Sequence, residues 1–335
     1  MTQETNARRP NIYDVATAAG VSKSLVSLVL RGSPGVSPAR RAAVEDAMER
    51  LNYRPSRAAS ALAGNTSKTI GVVLDDYRNL WFVGLLGGMH DELAPHGYRV
   101  AVADPSFNAH IDRTPVDGFM SLRVDGIVIA TEPSESMLGG IDVPVVVAGN
   151  RDVIVPGADI VANDDLAGAR LATEHLLELG HREIGHVTGG GGAARLRAQG
   201  FEVVMHERGL TAHIAQGQGL TTESDGYQAA LKLLDENPSI TAIFAANDTM
   251  AFGAAGAARD RGKRIPEDLS LIGYDNSPLA SANLLRLTTI DDRSGHVGIE
   301  AARALLGRLK EPAAPPRTVL VGPELVVRAS TAAPA

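Results

Sequence analysis

Apolar positions follow two different textures along the chain, and the change falls near Lys68. Before it, apolar residues recur three and four apart. Ile12, Val15, Ala16 and Ala19 share one helical face, Val26, Val29 and Leu30 a second, and Val44, Met48 and Leu51 a third. Asn11 and Ser22 stand where the first two helices need an N-cap, and Ser37-Pro38 puts a cap before a proline at the first position of the third. Gly20-Val21 makes a tight turn between the first pair, and Arg31-Gly32-Ser33-Pro34-Gly35 is a loop. Two short helices joined this way are the helix-turn-helix arrangement. On the second helix Lys23, Ser24, Ser27 and Arg31 offer the donors and acceptors that suit a DNA major groove, though a solvated polar face has the same look. The Ala-rich stretch 56–64 that follows Pro55 is too short to persist alone as a helix in water, and would order on binding.

After Lys68 the apolar residues cluster in short continuous runs, the pattern of buried parallel strands. Such runs are 70–74, 98–103, 126–130, 144–148, 184–188, 242–246 and 269–274, with a terminal strand over 324–329. Helical periodicity fills the intervals 81–96, 166–180, 195–208, 224–237 and 249–262. Strand and helix therefore alternate in a doubly wound α/β body. About ten strands exceed one comfortable sheet, so two similar lobes are expected, with a ligand cleft between them beyond the strand ends.

Charge sharpens the division. Residues 1–64 hold nine Lys/Arg against five Asp/Glu, whereas the whole chain of 335 residues carries a formal net charge of −7. A basic head on an acidic body suits a module that meets phosphate beside one that avoids it. The chain has no cysteine, which removes disulfides and thiolate chemistry and fits a cytoplasmic, nucleoid-associated protein. No apolar stretch is long enough for a membrane span, and the first ten residues lack the apolar core of a secretory signal.

Enzyme chemistry finds little support. Gly189–Gly192 follows a strand but matches neither G-x-G-x-x-G nor the P-loop, and reads as a flexible loop. His175 and His181 flank a helix end and read as surface or cap residues. The pairs Asp75-Asp76, Asp164-Asp165 and Asp291-Asp292 are adjacent in sequence and so point apart. No catalytic constellation, metal site or cofactor motif is expected.

The motifs nevertheless carry a family resemblance. Asn11-Ile12-Tyr13-Asp14-Val15-Ala16, Ala19-Gly20-Val21-Ser22, Leu51-Asn52-Tyr53-Arg54-Pro55 and Leu62-Ala63-Gly64 resemble the head of the lactose repressor/purine repressor family. In the body, the stretch 172–181, Ala246-Asn247-Asp248, Ile265–Ser270 with Gly273-Tyr274-Asp275, and Leu287–Ile290 look like the same family in the same order. The resemblance implies an all-α helix-turn-helix head (1–55), a hinge helix and linker (56–67), and a periplasmic-binding-protein-like two-lobed body (68–335). The first lobe would comprise about 68–163 and 291–321, the second about 164–290 and 322–335. It also implies a homodimeric repressor on a palindromic operator, controlled by a small molecule, with sugar or polyol induction favoured over a purine-type corepressor. A sugar-binding protein of transport or chemosensing is the alternative. No leucine heptad follows the last strand, so a tetramerising tail is not expected.

Residue roles follow from the same resemblance. Asn11, Tyr13, Ser22, Lys23, Ser24, Leu25, Ser27, Leu28, Arg31 and Ser37 would face DNA from the head, and Arg57, Ala59 and Leu62 from the hinge, where Leu62 sits at the family's minor-groove wedge position. Leu25 and Leu28 depart from the threonine and arginine common there. The missing arginine removes a guanine contact worth about 1–3 kcal/mol of discrimination. The effector cleft would use Trp81 and Phe82 as aromatic faces, Arg197 as the gripping cation, and Asn247 and Asp275 as hydroxyl binders, with Asn150, Asp76 and Asn79 as further contacts. Thr221 and Gly149 stand where relatives carry an aromatic and a carboxylate, and the region 104–119 lacks the family's long helix.

Overall fold

The computed structural model describes residues 10–30, 32–54, 66–105, 114–219 and 221–335. The chain divides into two compact units, Met1–Ser67 and Lys68–Ala335. Arg31, Arg57, Ala59 and Leu62, and with them the expected hinge helix, lie outside the described residues.

The first unit contains α1 (Ile12–Ala19), α2 (Lys23–Leu30) and α3 (Pro38–Arg50). Asn11 caps α1 in a reciprocal box with Asp14, and Gly20 closes it in the left-handed conformation at φ 63°. The axes of α1 and α2 turn through 104°. Ser22 Oγ accepts from the amide of Leu25, so the second cap also forms. Ser37 precedes Pro38 as expected, but its side chain makes no capping bond. Val15, Val26, Val29, Val44 and Ala47 form the buried centre, with Met48 and Leu51 packed against it.

The second unit holds two six-stranded sheets. The first orders β2 (Arg99–Ala103), β1 (Thr69–Leu74), β3 (Gly126–Ala130), β4 (Val145–Ala148), β5 (Asp159–Asn163) and β11 (Thr318–Val321). The second orders β7 (His213–Gln216), β6 (Ile184–Thr188), β8 (Ala242–Ala245), β9 (Ser270–Tyr274), β10 (Thr288–Asp291) and β12 (Glu324–Val326). All pairings are parallel except β10 with β12. The two lobes repeat one strand order, and the chain passes between them after β5, after β10 and after β11.

Helices α4 (Trp81–Leu93), α5 (Pro115–Ser121), α6 (Glu135–Leu138) and α11 (Ser294–Lys310) belong with the first sheet. Helices α7 (Asp165–Glu178), α8 (Gly192–Glu207), α9 (Glu223–Glu236) and α10 (Asp248–Asp260) belong with the second. In the region 104–119 the only helix among the described residues is the seven-residue α5, set by a capping box at Thr114. His181 corrects the surface reading. It is 1% exposed, and its ring reaches Thr241 Oγ1 at 2.8 Å, Ser270 Oγ at 3.0 Å and the Ala332 carbonyl at 2.9 Å. A buried imidazole needs such partners, and these tie the C-terminal segment to the second lobe.

Candidate functional site

In the head, Ser22 at the cap of α2 is exposed, as are Lys23 and Ser24 on its first turn; Leu25 and Ser27 are half-buried, and Leu28 is exposed. Tyr13 on α1 is 60% exposed and receives a hydrogen bond from Lys23 Nζ at 3.2 Å. The ammonium also lies 4.9 Å from the centre of the Tyr13 ring. Ser37 is exposed, while Asn11 is half-buried with its side chain committed to the cap of α1. Polar Lys23, Ser24 and Tyr13 thus share open surface with Leu28, an apolar residue that the core does not use.

In the body, a cavity of about 350 Å³ lies between the lobes. Its wall is built from residues that follow strand ends: Asp75 and Asp76 after β1, Gly149 to Arg151 after β4, Gly190 to Gly192 after β6, Asn247 after β8 and Asp275 after β9. Parallel doubly wound sheets place their ligands at such carboxyl ends. Asp76, Asn79, Trp81, Phe82, Asn150, Arg197, Asn247 and Asp275, the eight residues the sequence suggested, all line it.

Arg197, on the first turns of α8, is the centre of the site. Its Nε donates to Asp165 Oδ1 at 2.8 Å, and its Nη1 to the Ala246 carbonyl at 2.6 Å and Asp275 Oδ1 at 3.2 Å. The guanidinium lies 3.6 Å from the centre of the Tyr274 ring. Among the described residues no protein group pairs with its Nη2. Burial works against the charge, but Asp165 and Asp275 outweigh it and hold the arginine above its usual pKa. The carboxylates are in excess. Burial pushes Asp275 up to about 7 against the pull of Arg197, with Asp248 and Asp165 adding to the rise. Asp292 is raised well above the usual range by burial and by Asp275. Asp275 also holds φ 92°, a backbone conformation rare for side-chain-bearing residues and characteristic of functional sites.

The remaining groups are largely spoken for by protein. Asn247 caps α10 by accepting from Met250 N at 2.8 Å and donates to the Thr221 carbonyl at 3.2 Å. Asn150 donates to the Asn163 carbonyl at 2.8 Å and to Asp165 Oδ2 at 2.6 Å. The Trp81 indole donates to Asp292 Oδ2 at 2.7 Å, and its ring meets Phe82 edge-on at 5.2 Å. Asp76 is occupied by Arg78, whose Nε approaches to 2.8 Å, and Asn79 Oδ1 receives the Trp81 amide.

Several participants escaped the sequence reading. Asp165 is the main partner of Arg197, although the pair Asp164-Asp165 attracted no role; Asp164 caps α7 instead. Arg151 donates to the Ala130 carbonyl at 2.6 Å and the Ala148 carbonyl at 3.0 Å. Its Nη2 also fills the space a side chain at Gly149 would enter, 3.1 Å from the position of a Cβ there. The space beside Gly149 is therefore occupied by a guanidinium from two residues on. The glycine run is not a free loop: Gly190, Gly191 and Gly192 form cavity wall, and α8 begins at Gly192 rather than Arg195.

Comparison with known proteins accords with both units. Residues 11–56 match the family described as bacterial regulatory proteins, lacI family. Residues 173–331 match the periplasmic binding protein-like domain. The HTH-type transcriptional repressor PurR of Pasteurella multocida (strain Pm70) is 31% identical over 326 residues, covering 95% of this chain and 98% of that protein. The structure of the lac repressor dimer bound to operator and the anti-inducer ONPF superposes with a TM-score of 0.83 at 28% identity, over 97% of this chain and 100% of that one. The transcriptional regulator CelR–cellobiose complex gives 0.70 at 28% identity, over 96% and 100%. The head and the cleft together define a DNA-binding transcriptional repressor with a ligand-binding domain, not an enzyme. The chain belongs to the lacI family of bacterial regulatory proteins.

Proposed function

We propose that this repressor binds a palindromic operator as a homodimer in the cytoplasm and is released from it when a sugar or polyol enters the interlobe cavity. One observation carries the effector reading. Arg197, braced by Asp165 and Asp275 and backed by Tyr274, leaves Nη2 open in a cavity walled by Trp81 and Phe82. Carboxylate and guanidinium side by side accept from and donate to neighbouring hydroxyls, and an aromatic wall suits the C–H face of a sugar ring. The cellobiose bound by the structural relative CelR supports this class. In the head, α2 would enter the major groove with Lys23, Ser24 and Leu28 towards the bases, Leu28 pressing on thymine methyls, and the hinge residues Arg57, Ala59 and Leu62 would meet the minor groove.

The test is a thermal-shift screen of sugars, polyols and nucleobases, followed by operator binding with each hit. A sugar that stabilises the protein should weaken operator binding. Arg197→Ala should abolish that response while leaving operator affinity without ligand within about twofold, because the substitution lies in the ligand-binding unit and leaves the DNA-facing residues of the head unaltered. A full response in Arg197→Ala would place the effector elsewhere. A nucleobase that tightened operator binding would favour the purine-type corepressor.

A further inference from the structure

The rim of the cavity carries a contact between the lobes that ligand chemistry does not explain. Gly192, first residue of α8 in the second lobe, lies directly against the β4 loop of the first. A Cβ on Gly192 would sit 2.8 Å from the Asn150 carbonyl oxygen and 3.1 Å from Arg151 Cα. Both are backbone atoms, so no rotamer change relieves the overlap.

Neither side of the contact is free to yield. The β4 loop is pinned by the Asn150 amide on the Asn163 carbonyl and Asp165, and by Arg151 on the Ala130 and Ala148 carbonyls. Glu132 adds to this by accepting from the amides of Asp152 at 3.1 Å and Val153 at 2.7 Å. On the other side Gly190 N donates to the Gly219 carbonyl at 3.1 Å, and the Gly191 carbonyl accepts from Arg195 N at 3.0 Å within α8. One turn past Gly192, Arg195 Nε donates to Asp152 Oδ1 at 3.0 Å, and its Nη2 contacts the same oxygen. This ion pair also joins the lobes. Both of its side chains are half exposed, so it adds orientation more than stability.

We propose that Gly192 is the positioning residue that permits the lobes to close over the cavity, with the Asp152–Arg195 pair orienting the closed rim. A side chain at 192 has no room while both loops stay pinned, so it props the lobes apart and removes the closed state. Closure then governs how tightly any ligand is held, because apparent affinity falls in proportion to the closed population. The effector reading supplies the purpose of closure, but the steric claim stands without it.

The absence of cysteine makes the claim measurable. In the full-length chain, Asp152→Cys with Arg195→Cys places one thiol on each rim, and a short bis-maleimide joins them only when the lobes meet. The rate of intramolecular cross-linking, normalised to single-cysteine labelling, then reports closure without sugar or DNA. Adding Gly192→Ala should slow it by about tenfold or more, the fall expected when the closed population drops tenfold. Gly118→Ala, at a glycine with nothing within 4 Å of its Cβ position, should leave it unchanged. An equal rate in Gly192→Ala and its parent overturns the proposal. So does a parent pair that never cross-links although each cysteine labels alone, and that arm needs no substitution at 192 to fold. Cross-linking that behaves as described while no sugar alters operator binding would leave closure standing and defeat the effector reading alone.

Discussion

Asp275 concentrates the tension of the cleft. It combines a left-handed backbone at φ 92° with a buried carboxyl that pairs with Arg197 and lies close to the charges of Asp248, Asp165 and Asp292. Arg197 alone balances too little of the negative charge around it, so burial raises Asp275 to about 7 and Asp292 well above the usual carboxylate range. The sign of the consequence is fixed. A carboxyl raised to about 7 in the folded protein binds more protons than its unfolded counterpart between about pH 4 and 7. Its contribution to stability is therefore fully present below pH 4 and is lost as pH rises through 7, with a limiting slope of about 1.4 kcal/mol per pH unit for each proton. Buried His186, held down to about 3 chiefly by burial, slopes the opposite way below its unfolded value, so a raw melting curve mixes the two. Asp275→Asn isolates the carboxyl. The melting temperature of the native chain minus that of Asp275→Asn should fall between pH 5 and 7.5, and a flat difference would show that Asp275 is ionised throughout.

At the scale of elements, the caps and the apolar faces were legible and the shortest strands were not. Asn11, Gly20 and Ser22 announced α1 and α2 because capping is local chemistry. Asn11→Ala removes the acceptor for the amides of Tyr13, at 2.8 Å, and Asp14. That should cost α1 about 1 kcal/mol, seen as roughly fivefold faster amide exchange across residues 12–19 with little change in the body. Unchanged exchange would mean that packing against α3 alone holds the helix. Strands β5, β7, β10 and β11 escaped notice because each is short and carries polar positions, such as Asp159, His213, Gln216, Thr288 and Thr318, that interrupt a continuous apolar run. The cavity was half legible for a similar reason. Asn247 and Asp275 were named through the family resemblance, at the ends of strands that the apolar runs had already marked. Asp292 becomes visible only once the fold brings it to Trp81, 211 residues away in sequence. Gly192 was misread because its need for a bare Cα comes from Asn150 in the other lobe, not from its own turn.

The whole molecule separates charge as it separates labour, and operator binding should show it. Nine basic residues against five acidic ones in 1–64 face a chain whose net charge is −7, so phosphate attraction resides in the head while the body repels DNA. Affinity should then fall linearly in log–log form with salt, each phosphate contact contributing about 0.9 to the slope. Lys23 is the informative probe because two roles compete for it. Its ammonium is held by the Tyr13 hydroxyl and ring on the exposed surface, an arrangement that either presents the charge to DNA or merely spends it on packing. If it is presented, Lys23→Ala in the proposed dimer removes one contact per head and lowers the slope by about two, while exposed Lys232 on α9 can be replaced by alanine without effect. Fluorescence anisotropy of a labelled operator across a potassium chloride series measures both. An unchanged slope in Lys23→Ala, with affinity lost equally at every salt concentration, would assign Lys23 to the packing of α1 on α2. Arg40, exposed at the start of α3, would then be the next residue to test for the backbone contact.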